Sequence, residues 1–240
     1  MTAPPILRVG GLQKRFGGVL AVDDVGLELA EGELHALIGP NGAGKTTLIH
    51  LLSGALQPSA GTIALDGRDV TRLPMHRRVR LGLARSYQIT SLFPAFTARE
   101  NAALALQGAG RPHGRAEAEA ALDEVGLAGR ADQLAGALAH GERRQLELGL
   151  ALATGARVLL LDEPMAGTGP DESARLLELL RRLKGRHTIL LVEHDMDAVF
   201  RLADRITTLV YGRVIACGAP DEIRRHPEVR RAYLGEDDAA

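Results

Sequence analysis

Gly39-Pro40-Asn41-Gly42-Ala43-Gly44-Lys45-Thr46-Thr47 is the stretch of this 240-residue chain that decides its fold. It fits the pattern G-x-x-x-x-G-K-[ST], in which a strand passes through a glycine-rich turn into a helix that cradles phosphate. Gly39, Gly42 and Gly44 let the backbone turn tightly and approach an anion with no Cβ in the way. The amides of the loop, and of the helix beginning near Lys45, then face that anion, where the helix dipole also favours negative charge. Lys45 is placed to reach the β- and γ-phosphates, and the Thr46 hydroxyl is suited to Mg²⁺. The flanks agree. Leu34-His35-Ala36-Leu37-Ile38 reads as the strand before the loop, and Thr47-Leu48-Ile49-His50-Leu51-Leu52 as the helix after it. Of 29 Lys plus Arg, only Lys14, Lys45 and Lys184 are lysines. Keeping lysine here suits a loop that needs a compact point charge on a flexible stem, not a planar fork.

A second constellation points the same way. Val158-Leu159-Leu160-Leu161 is a wholly apolar run that ends in Asp162-Glu163-Pro164. Such a run suits a strand buried on both faces of a parallel sheet, and ligands bind at the carboxyl ends of such strands. Asp162 is then a candidate Mg²⁺ ligand, directly or through water, and Glu163 a candidate general base for an attacking water. Ile189-Leu190-Leu191-Val192 is a second apolar run, ending in Glu193-His194-Asp195, so His194 is expected at the same sheet edge near the γ-phosphate. The helix-like stretch from Glu172 to Leu183 lies between the two runs, which gives a βαβ unit.

Elsewhere the chain divides by composition. The N-terminal quarter reads as short strands over 6–9, 19–22 and 25–29, and Thr62 to Leu65 runs into an Asp66-Gly67 hairpin turn. From Thr97 to Thr154 the residues are good helix formers, with a capping box at Thr97 and Glu100 and helices predicted over 115–125 and 142–154. The 45% hydrophobic content supports a substantial core, and a net charge of -1 argues against nucleic acid or an anionic membrane surface as the main partner. The one cysteine, Cys217, excludes an internal disulfide, in keeping with a reducing cytosol. No signal-peptide pattern and no apolar run of about 20 residues is present, since the densest run, 146–161, contains Glu147 and Arg157. The chain is not expected to cross a membrane alone, though it can dock onto a protein that does.

These motifs, in this order, resemble the ATP-binding subunit of an ABC transporter. The decisive addition is Leu138-Ala139-His140-Gly141-Glu142-Arg143-Arg144-Gln145, similar to the family's L-S-G-G-Q signature and standing about 20 residues before the Asp162-Glu163 strand. The resemblance implies a P-loop NTPase fold of the α/β class, with a mostly parallel core sheet, an N-terminal antiparallel β region and an α-helical subdomain. It implies one ABC ATPase domain over 1–240, with 1–85 and 156–240 as the nucleotide-binding core and 86–155 as the helical subdomain. It also implies ATP and Mg²⁺ as cofactors. Phe16 matches the residue that stacks on adenine, Gln88 the glutamine that senses Mg²⁺ and the γ-phosphate, and His194 the switch histidine. Leu138, Ala139, His140, Gly141 and Glu142 would serve the ATP of a partner subunit, with Gly141 opening the helix that follows. Ala166-Gly167-Thr168-Gly169 matches the loop after the acidic strand end.

Two departures stand out. Ala139 replaces the usual signature serine, and Gly169 stands where the family usually has Asp. They suggest a working dimer with a different ATPase subunit. The stretches Arg85-Ser86-Tyr87-Gln88, Leu92-Phe93-Pro94, Thr97-x-x-Glu100-Asn101 and Tyr233-Leu234-Gly235-Glu236 resemble the ATPases of branched-chain amino acid importers. ATPases of urea or amide import and of lipopolysaccharide export share part of this pattern. The implied partners are a second ATPase subunit, two membrane permeases and a periplasmic solute-binding protein, at the cytoplasmic face of the inner membrane, with residues 89–96 receiving a permease helix. Rival classes explain less. A soluble ABC regulator needs a second cassette or a long coiled coil, and a P-loop kinase or GTPase leaves residues 138–145 and His194 unexplained. A nucleotide-sensing module would not need Glu163.

Overall fold

The computed structural model describes residues 4–86 and 92–234. The chain opens with an antiparallel hairpin, β1 (Leu7–Phe16) and β2 (Val19–Leu29), turning at Gly17-Gly18. The expected breaks within 19–29 do not end the strand; the irregularities in its pairing with β1 are absorbed as register shifts. β3 (Leu34–Ile38) leads through the glycine loop into α1 (Lys45–Ser53). β4 (Ala60–Leu65) and β5 (Arg68–Asp69) form the hairpin expected at Asp66-Gly67, where both residues adopt positive φ. α2 (Met75–Arg80) and β6 (Leu83–Arg85) follow.

Between β6 and the next strand the described residues form helices and turns: α3 (Ala98–Gly108), α4 (Arg115–Glu124) and α5 (His140–Ala153). Thr97 and Glu100 make the expected reciprocal cap on α3. α5 begins two residues before the expected start, so Gly141 lies inside its first turn instead of ahead of it. β7 (Val158–Asp162), α6 (Pro170–Leu183) and β8 (Thr188–Val192) form the anticipated βαβ unit, with β7 and β8 adjacent and parallel. α7 (Met196–Leu202), β9 (Arg205–Val210), β10 (Arg213–Gly218), α8 (Pro220–Arg225) and α9 (Pro227–Leu234) complete the described chain.

The strands form two sheets. One is antiparallel, in the order β2-β1-β4-β5; the other has six strands in the order β10-β9-β3-β8-β7-β6, parallel except for β10. β3, β7 and β8 are buried along their whole length, as the apolar runs of β7 and β8 require; in β3 the buried His35 ring is satisfied by Glu33 Oε1 at 3.0 Å and Thr207 Oγ1 at 2.7 Å. Alternate residues serve two cores. Leu37, Leu160, Leu190 and Val192 pack with Leu48, Ile49 and Leu52 of α1 and with the antiparallel sheet. Ala36, Leu159, Leu161, Ile189 and Leu191 face Leu176, Leu179, Leu180 and Leu183 of α6. α1 is thereby fixed between two sheets, with its N-terminus at the carboxyl ends of β3, β7 and β8. Among the described residues, no helix is long and apolar enough to cross a membrane.

Candidate functional site

Three strand ends build the site. β3 delivers the glycine loop. A Cβ on Gly44 would stand 2.4 Å from the Ala21 carbonyl oxygen, and Gly44 holds φ at 103°, so this position requires glycine twice over. As the N-cap of α1, Gly44 offers no side chain to the first-turn amides, which leaves them for an anion. Lys45 folds back over the loop, its Nζ donating to the carbonyls of Gly39 (2.6 Å) and Pro40 (3.0 Å). Burial pushes its pKa down, and the nearby carboxylates of Glu163 and Asp162 oppose that shift. A cavity of about 230 Å³ has the loop from Asn41 to Thr47 on one wall, and Glu163 and His194 also line it.

β7 and β8 bring that second pair together by register. Asp162 lies level with Val192, and the Glu163 amide extends the ladder by donating to the Val192 carbonyl at 2.9 Å. Glu163 then turns out of the strand with φ at 50°, a conformation that costs a non-glycine residue free energy and is found at functional sites. Its Oε1 lies 2.7 Å from His194 Nε2. This carboxylate–imidazole pair, facing a loop of amides and one ammonium, is equipped to hold a water against a phosphate.

Asp162 lies deeper, with 1% of its surface exposed. Arg85 Nη2 donates to its Oδ2 at 3.1 Å, whereas its Oδ1 is buried with no hydrogen-bond partner. Burial raises its pKa, Arg85 pulls it down and Glu163 pushes it further up. His50, on the inner face of α1, has its pKa lowered by burial and by Arg85, while Asp162 raises it.

The remaining expected residues fall elsewhere. Phe16 ends β1 with 48% of its surface exposed, so it does not plug the core, and the Lys14 ammonium sits 5.2 Å from its ring centroid. Gln88 lies outside the described residues. Leu138 is buried, Ala139 is the N-cap of α5, and His140, Gly141 and Glu142 form its first turn. Ala139, Gly141 and Glu142 line a second cavity that shares no lining residue with the first. The two cavities therefore lie apart on the chain.

The matches to known proteins follow this division of parts. A family model described as ABC transporter matches residues 22–166, and one described as branched-chain amino acid ATP-binding cassette transporter matches residues 213–239. The chain belongs to the ABC transporter family, as an ATP-binding subunit. It is 42% identical to the high-affinity branched-chain amino acid transport ATP-binding protein BraF of Pseudomonas aeruginosa, over 97% of this chain and 98% of that one. It is 43% identical to the corresponding protein LivG of Salmonella typhimurium, with the same coverage. The ADP conformation of an ATP-binding cassette of an ABC transporter superposes with a TM-score of 0.87 at 28% identity, over 98% of this chain and all of the other. This ABC subunit binds and hydrolyses ATP.

Two residues quoted within sequence motifs, but given no role of their own there, shape the surroundings of these parts. Glu193, 4% exposed, accepts from the Met165 amide at 2.8 Å and the His194 amide at 3.2 Å. It ties the loop after Glu163 to the end of β8, and burial raises its pKa. An acid closing a wholly apolar strand was the available signal. Asn101, 2% exposed, exchanges hydrogen bonds with both the amide and the carbonyl of Phe93. It holds a turn that presents the Phe93 and Phe96 rings, 5.4 Å apart and 56% and 41% exposed.

Proposed function

We propose that this ATP-binding subunit energises the import of branched-chain amino acids at the cytoplasmic face of the inner membrane. Its partners in this reading are a second ATPase subunit, two permeases and a periplasmic solute-binding protein. The observation that carries the solute is the 42–43% identity to branched-chain amino acid transport proteins over 97% of the chain. The separate match over residues 213–239 supports it. Purifying the chain with its native permeases, and measuring ATP-driven uptake of labelled leucine into liposomes, tests the reading. Uptake that is absent for leucine, isoleucine and valine while ATP is hydrolysed would refute the solute.

In this reading residues 1–240 act as one ABC ATPase domain, with 86–155 as its helical part. The amides of Gly39 to Thr47 bind the phosphates, and Lys45 exchanges its two carbonyl partners for phosphate oxygens. Glu163 accepts a proton from the attacking water as general base, while His194, 2.7 Å away, holds that carboxylate and the γ-phosphate in line. Asp162 and the Thr46 hydroxyl, with Gln88, would hold Mg²⁺. The buried, unpartnered Oδ1 of Asp162 fits that cation as a single carboxylate ligand. This suits Mg²⁺, which takes one or two carboxylates and completes its shell with phosphate oxygens and water. When bound it neutralises charge on the β- and γ-phosphates. Phe16 stacks on adenine. Leu138 to Glu142 close over the ATP of the second subunit, and the Phe93–Phe96 turn receives a permease helix.

A further inference from the structure

Glu172, in the first turn of α6, lies against the N-terminus of α5. Three amides there, those of His140, Gly141 and Glu142, have no partner within the helix, because the first intrahelical bond runs from the Arg143 amide to the Ala139 carbonyl. Ala139 supplies no side-chain oxygen to cap them. The Glu142 carboxylate turns instead to the Ala139 amide (3.0 Å) and to Arg130 (2.8 Å). The Gly141 amide is nevertheless occupied: it donates to Glu172 Oε1 at 3.1 Å, and Glu172 Oε2 stands 3.9 Å from His140 Nδ1. The stem of Glu172 lies flat on Gly141, since a Cβ there would meet its Cγ and Cδ at 3.0 Å. Beside this contact is a cavity of about 270 Å³, whose wall carries Arg130, Arg144 and Arg175 as well as Glu142 and Glu172.

We propose that Glu172 is a built-in competitor for the phosphate seat on α5: it holds the Gly141 amide in the unpaired subunit and must release it before the partner's ATP can close on this helix. The proposal rests on the reading above that α5 receives the γ-phosphate of a partner's ATP. An amide directed at one carboxylate cannot also serve a phosphate oxygen, and the two anions repel at that range. Release is open to Glu172 because its side chain is 30% exposed and leads to solvent. The contact also ties α5 to the start of α6. That helix follows directly on Thr168-Gly169, where the Thr168 hydroxyl donates to the Met165 carbonyl and shares a hydrogen bond with Ser173. Seating a phosphate on α5 would thus free the first turn of α6 and the loop that leads back to Glu163.

The test is ATP-dependent pairing in the full chain carrying Glu163→Gln, alone and with a co-expressed ATPase subunit of the same transporter, followed by sedimentation. Adding Glu172→Gln removes the charge while keeping the shape, and is expected to lower the ATP concentration for half-maximal pairing by about fivefold to tenfold. Glu178→Gln, the same charge change at a 64%-exposed position of α6, is expected to leave it unchanged. In the unpaired protein, hydrogen exchange at the Gly141 amide is expected to speed up with Glu172→Gln and not with Glu178→Gln. If the parent pairs but Glu172→Gln leaves pairing unchanged or weaker, or Glu178→Gln matches its effect, the competitor role is overturned. If the parent never pairs in response to ATP, the reading of α5 as a phosphate seat falls, and the competitor with it.

Discussion

Arg78→Met is expected to destabilise the protein by about 3–5 kcal/mol, although Arg78 lies outside the nucleotide site. Arg78 sits on α2 fully buried, and its guanidinium donates to four carbonyls: Leu51 (2.8 Å), Leu52 (2.7 Å), Thr71 (2.9 Å) and Leu73 (2.9 Å). Leu51 and Leu52 belong to the last turn of α1, so a buried cation lies at the negative end of the helix that begins at Lys45. Burial pushes its pKa down, yet a guanidinium stays protonated in a folded protein. Each charge-assisted bond contributes roughly 1.5–3 kcal/mol, so four contribute roughly 6–12. Relief of the desolvation cost returns several kcal/mol, which leaves the stated net. In a chain of 240 residues each kcal/mol shifts the midpoint by about 2–4 °C, so calorimetry should show Tm lowered by about 6–20 °C. Arg78→Lys, whose three donors radiate from one nitrogen, should lose roughly half as much. A methionine variant that melts within about 2 °C of the parent would refute the claim that this cation holds the end of α1.

Gly44→Ala should raise the Kd for ATP at least about tenfold, measured by calorimetric titration, because the new Cβ falls 2.4 Å from the Ala21 carbonyl in a left-handed residue. Glu193 gives a pH signature. Burial raises its native pKa above the ordinary 4.5, against the pull of the Met165 and His194 amides. The native state therefore holds that proton more tightly than the unfolded chain does. The contribution of Glu193 to stability is complete below 4.5 and is lost as pH climbs through its native value. Urea midpoints measured from pH 4 upward should show this decline in the parent and lose it in Glu193→Gln; superimposable profiles would count against it. Phe93→Ser with Phe96→Ser should leave Tm and ATP binding near the parent values, since both rings are exposed, but weaken co-purification with the permeases. Undiminished co-purification would place the permease contact elsewhere.

The parts of the fold that were legible in the sequence are those whose side chains are dictated by local chemistry. The glycine loop with the strand β3 before it, the apolar runs of β7 and β8, and the Thr97–Glu100 cap each carry their reason within a few residues, and each stands where expected. The breaks expected within β2 did not occur, because pairing with β1 overrides isolated charged and glycine residues by shifting register. The start of α5 was misplaced because Ala139 caps without a side-chain oxygen, which removes the usual marker of a helix N-terminus. Arg78 was illegible for a different reason. An arginine among Arg77, Arg78 and Arg80 reads as surface charge, and only the convergence of α1, α2 and the turn after β5 reveals four carbonyls waiting for it. The Glu163–His194 pair was half legible: both residues were placed at one sheet edge, but their contact depends on the Asp162–Val192 register. Glu172 and Gly141, 31 positions apart, meet only through packing of α5 on α6.

In the proposed mechanism Glu163, held by His194, prepares water to attack the ATP bound by Gly39 to Thr47. Single-turnover hydrolysis in the assembled transporter, with the parent and with Glu163→Gln, tests it most directly. The variant should bind ATP with undiminished affinity while phosphate release slows by about 10²–10⁴-fold, the contribution of a general base. Phosphate release at the parental rate from a variant that binds ATP normally would contradict it.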